Sequence, residues 1–108
     1  MTMKPIDDRA EVVLDFPEKT YMGSFTHASR FEAVAERDGV VLKLAHAAGE
    51  KRVIEVHLHW YLFAAVLRSL AASIEAARPD LDEPHRAALG DGADAIAHAL
   101  RKPDADGA

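Results

Sequence analysis

The chain has 108 residues, 49% of them apolar and 29% charged, with a net charge of −5 and no cysteine. That length supports one core without staples, and the missing cysteine excludes disulfides, thiolate catalysis and zinc–thiolate sites. The acidic balance, with a pI of about 5.6, opposes broad electrostatic binding to a phosphate backbone.

The start, "MTMKPIDDRAE", has no apolar run behind a basic segment, so no signal peptide is expected. These first residues read as loose. "EVVLDF" (11–16), stopped by Pro17, reads as a short strand and is the candidate for a fourth strand at a sheet edge. "SFTHASRFEAVAER" (24–37) reads as one long strand with an interruption near Ser29. Asp38-Gly39 follows, a two-residue hairpin signal, because a type I′ turn needs positive φ at both central positions. "VVLKLAH" (40–46) is the return strand. Ala47-Ala48-Gly49 reads as a three-residue loop into "EKRVIEVHLHW" (50–60).

These two turns place Ala35 opposite Leu42, Phe31 opposite His46, Leu42 opposite Ile54 and Val40 opposite Val56. Both then agree on one apolar face: Phe31, Ala33, Ala35, Val40, Leu42, Leu44, Ile54, Val56 and Leu58. A one-residue slip would send that whole set to the other side, so the agreement carries information. The other face holds Arg30, Glu32, Val34, Val41, Lys43, Val53, Glu55 and His57. Cross-strand ion pairs are expected there among Glu32, Lys43, Lys51 and Glu55.

From Tyr61 the period changes. Phe63, Val66, Leu67, Leu70 and Ile74 follow helical spacing, and Pro79 ends the run. The helix is expected to cover the apolar sheet face. A second stripe, Ala65, Ser69, Ala72 and Ala76, is small enough for close approach by another backbone. "WYLFAAVL" is too short to span a bilayer and is followed by Arg68, so no membrane contact is expected. A second, shorter helix is predicted from "DEPHRAALGDGADAIAHAL" (82–100), with Asp82 or Asp80 as cap, Pro84 in its first turn, and a thin stripe at Leu89, Ala93, Ile96 and Leu100. Gly90 and Gly92 weaken its middle by about 1 kcal/mol each, and a break is expected there. "RKPDADGA" (101–108) has nothing to bury; residues 103–108 are read as a disordered tail after a single domain spanning 1–102. The fold class is α+β: a three- or four-stranded antiparallel meander, one face covered by the first of two helices.

Chemistry is sparse. His57 and His59, two apart on a strand, point to one side with Glu55 and form the one candidate metal set. The neighbouring strand offers Val41 and Lys43 and no third histidine, so the solvent-facing reading is favoured and neither metal nor cofactor is expected. His27 and His46 belong to the other face or to loops, and His46 at an apolar rim reads as a hydrogen-bonding residue. Gly90-Asp91-Gly92 lacks the lysine and further glycine of a phosphate loop. His85 and His98 read as solvent-side positions. No catalytic signature is present. Three functions stay open. The first is an interaction module acting in the cytoplasm as a homo-oligomer, a dimer, through Trp60, Tyr61, Ala65, Ser69, Ala72 and Ala76. The second is a metal- or small-ligand-binding protein using the His57/His59 face. The third is an acidic partner of a basic protein. The unblocked sheet edge also suits contact by strand addition.

Overall fold

The computed structural model describes residues 3–46 and 53–102; the expected loop at 47–49, Lys51 and the tail at 103–108 lie outside them. The chain is a mixed α+β protein in two compact units, Met1–Leu70 and Ala71–Ala108.

Among the described residues the first unit carries six strands: β1 (Lys4–Pro5), β2 (Ala10–Phe16), β3 (Lys19–Phe25), β4 (Ser29–Ala35), β5 (Gly39–His46) and β6 (Val53–His59). β4, β5 and β6 form the expected antiparallel meander, and the order of the four-stranded sheet is β1-β4-β5-β6. Its fourth strand is β1, with Lys4 opposite Phe31. The loose start predicted from composition is therefore partly ordered, and Ile6 is buried. Residues 11–16 do form a strand, but it pairs with β3 in a separate two-stranded sheet, Leu14 facing Tyr21. The long strand expected over 24–37 is two strands. It breaks at residues 26–28, where Ser29 N donates to Thr26 O at 2.8 Å.

Register differs from expectation by two residues at both hairpins. Ala35 faces Val40, Ala33 faces Leu42 and Phe31 faces Leu44; Leu42 faces Val56 and Val40 faces Leu58. His46 faces Ser29 rather than Phe31. A shift of two preserves which side each residue occupies, so the apolar and polar faces are as the pattern implied. At the first hairpin the cause lies in the turn before Gly39. Glu36 N donates to Gly39 O at 2.7 Å, which centres the turn on Arg37 and Asp38, and neither has positive φ. Gly39 is not a turn residue. It belongs to β5 opposite His59, where a Cβ would collide with Leu58 O. Close backbone approach, not a left-handed φ, is what requires glycine there.

The core of the described residues is small: Ile6, Phe25, Val40 and Val41, with Ser29 beside them. Val41 lies on the face expected to be wet, so the core spans both sides of β5. The apolar face is less closed than expected. Leu44, Ile54 and Leu58 are half-buried, while Leu42 and Val56 are 38% and 41% exposed.

Helix α1 (Trp60–Ala77) begins at the residue after β6 and has no buried residue. A strand that passes into a helix with no loop leaves no residues for turning back over the sheet, where such connections ordinarily use several. α1 ends as predicted before Pro79. Arg78 takes φ 46°, the left-handed conformation that closes many helices, while its N–H still reaches Ile74 O at 2.8 Å.

In the second unit, α2 (Glu83–Arg101) starts at the N-cap Asp82, with Pro in its first turn. His85 N donates to Asp82 Oδ1 at 3.0 Å. α2 runs unbroken through Gly90 and Gly92, contrary to the expected break. Gly lowers helix propensity without forbidding the helix, and an acceptor at the cap compensates at the N-terminus.

Candidate functional site

The polar face of β5 and β6 gathers three of the side chains singled out by sequence. Lys43 faces Glu55 and Val41 faces His57 across the ladder. Period-two alternation puts Glu55 and His57 on one side of β6. There His57 Nε2 lies 2.7 Å from Glu55 Oε2, and Lys43 Nζ lies 3.3 Å from Glu55 Oε1. The hydrogen bond from His57, then that from Lys43 and its charge, hold the Glu55 carboxyl below its ordinary range. An ionised carboxylate only accepts, so Nε2 of His57 is the donor. All three side chains are open to water, so the cluster lacks the desolvation that turns a carboxylate into a general acid. His59 sits at the end of β6 opposite Gly39. Among the described residues, no three His, Cys, Asp or Glu side chains are gathered so as to hold a metal ion. Of the His57/His59/Glu55 set, His57 and Glu55 are hydrogen-bonded to each other, and His59 stands at the strand end on the same face.

Other histidines are scattered. His27 is exposed in the 26–28 turn. His46 lies against the Phe25 ring, with centroids 5.0 Å apart. His85 Nδ1 is 2.6 Å from Asp82 Oδ1, so His85 belongs to the cap of α2. The Asp82 carboxyl is held low, first by the His85 backbone N–H and then by the His85 ring.

The larger feature is apolar. A groove of about 420 Å³ runs between the β2–β3 hairpin and the start of β6, lined by Val12, Leu14, Tyr21, Met22, Val53 and Ile54. Sequence reasoning missed it, because a hairpin at 10–25 folding beside residues 53–54 is a long-range pairing with no local signal. α1 adds the rest. Leu62, Val66, Leu67 and Leu70 are exposed, as is Ile74 further along. Of the predicted interface residues, Tyr61 is 94% exposed, and Ala65, Ser69, Ala72 and Ala76 are exposed too. Trp60 is partly held: its Nε1 donates to Arg37 O at 3.1 Å, tying the helix start to the β4–β5 turn. The helix runs on past "WYLFAAVL" to Ala77, as its spacing predicted. At 18 residues and a mean hydropathy of 1.2, it is long and apolar enough by composition to cross a membrane.

Comparison with known protein families, with characterised proteins and with solved structures finds no match for this chain.

Proposed function

We propose that the protein is an interaction module that works as a homo-oligomer, a dimer at its simplest, by burying the apolar surface of α1 and of the open sheet face. What carries this reading is a helix of 18 residues, rich in large apolar side chains, with none of them buried. Contiguous exposed apolar surface of this kind marks association sites, and symmetric pairing is the commonest way to cover it. Phe31, Leu42, Val56, Leu62, Val66, Leu67, Leu70 and Ile74 are each exposed by more than a third. Burying what remains open recovers about 1 kcal/mol per side chain. The total is comparable to the ~5–15 kcal/mol that holds a whole domain together.

A bilayer is the weaker occupant for α1. Arg68 lies at the middle of Trp60–Ala77, and an arginine at a helix centre costs about 2.5–3.5 kcal/mol on insertion scales. Sedimentation equilibrium of the full chain at micromolar concentration tests the proposal. The expected result is a species of at least twice the 11.8 kDa chain mass, dispersed by a Val66→Glu, Leu67→Glu double variant. A wild-type chain that stays at 11.8 kDa across the concentration range overturns it.

A further inference from the structure

We infer that the open edge of β6 pairs antiparallel with the same edge of a second copy, about a two-fold axis at Val56. This rests on the homo-oligomer reading above and adds a backbone contact beside the apolar surface named there.

The two edges of the four-stranded sheet differ in kind. One is β1, two residues long and made of Lys4 and Pro5. Shortness, lysine and proline are the devices that stop an edge from recruiting another strand. The other is β6, seven residues long, VIEVHLH, with no lysine, arginine or proline. Among the described residues no strand pairs with its outer side.

Backbone direction follows from two hydrogen bonds. Glu36 N donates to Gly39 O, and Trp60 N donates to Asp38 O at 3.3 Å. Odd residues of β5 therefore bond towards β4 and even ones towards β6. Val40, Leu42 and Leu44 engage Leu58, Val56 and Ile54. By alternation, the backbone groups of Val53, Glu55, His57 and His59 point out of the sheet at the free edge.

A two-fold axis through Val56 uses all seven residues. Val53 meets His59 of the second copy, Ile54 meets Leu58, and Val56 meets itself. Glu55 meets His57 twice. The edge-facing residues become the hydrogen-bonded pairs, apolar residues meet apolar ones on the open face, and a carboxylate meets an imidazole on the polar face. Neighbouring axes are worse. Centring on Glu55 sets two like charges directly opposite, and centring on His57 leaves five paired residues instead of seven. The sequence of β6 is thus complementary to its own reverse in one register.

The chain has no cysteine, so single cysteines report the register without background. Val56 on the axis is a non-hydrogen-bonded pair, with Cα atoms about 4.5 Å apart, within disulfide reach. Val56→Cys under mild oxidation should run mostly as a cross-linked species of twice the chain mass on a non-reducing gel. Val53→Cys alone should not, because its two copies lie six residues apart along the strands, about 20 Å. Val53→Cys mixed with His59→Cys should cross-link, while neither does alone. Both positions are exposed, so this mixed pair decides the matter should Val56→Cys fail to fold. A wild-type dimer in which neither Val56→Cys nor the mixed pair cross-links overturns the edge pairing and leaves the homo-oligomer standing. A wild-type chain at 11.8 kDa overturns both.

Discussion

Gly39 shows how one residue sets a register. Its position after Asp38 imitates a hairpin turn, yet its role is to let β5 and β6 approach. The added methyl of Gly39→Ala would collide with Leu58 O and stand 2.7 Å from His59 Cα, and backbone atoms cannot swing aside as a side chain can. Overpacking of this kind costs about 1–3 kcal/mol. A urea titration should show the midpoint falling with the slope unchanged; an unchanged midpoint would remove the close-approach explanation. Glu55 is a second case at this scale. Its neighbours hold its carboxyl below the ordinary range, and Lys43, Glu55 and His57 form one row of contacts across the ladder.

Among the elements, α2 depends most on one end. Its stripe is thin and its middle holds two glycines around which a Cβ would meet nothing within 4 Å, so packing around them adds little. The Asp82 cap is correspondingly important. The folded-state pKa of Asp82 lies below its ordinary value. Its contribution is therefore complete above the unfolded value of about 4 and is lost as pH falls through the lower folded value. Far-UV circular dichroism should show helicity declining in that acidic range. Asp82→Asn, which keeps a capping oxygen without a titrating group, should flatten the decline. A decline identical in wild type and variant would place the acid sensitivity elsewhere. Among the strands, β6 is the opposite kind of element: it is seven residues long without lysine, arginine or proline, and it runs directly into a helix with no buried residue.

For the molecule as a whole, charge separates the open functions. Each chain carries −5, so two copies repel at long range while an apolar contact attracts at short range. Salt screens the first and leaves the second. Self-association should therefore strengthen when sodium chloride is raised from about 50 to 500 mM, a range over which the Debye length shrinks roughly threefold. A protein acting as an acidic partner for a basic surface should behave in the opposite sense, its binding weakening over the same range. Association that weakens with salt would favour a charge-driven contact over the apolar one argued above.

Period-two and helical spacing determined much by themselves. They set the antiparallel meander, the side taken by each residue of β4, β5 and β6, the helix that ends before Pro79, and the Asp82 cap. Each depends on near neighbours in the chain, or on a parity that survives a shift of two. The tertiary structure alone decided the true register, the role of β1 as the fourth strand, the separate β2–β3 hairpin with its groove, and the openness of the sheet face. Those depend on which distant backbones meet. The same alternating pattern is satisfied by a strand slipped by two or paired with another neighbour, and an apolar helix reads alike whether its cover comes from its own sheet or from another molecule.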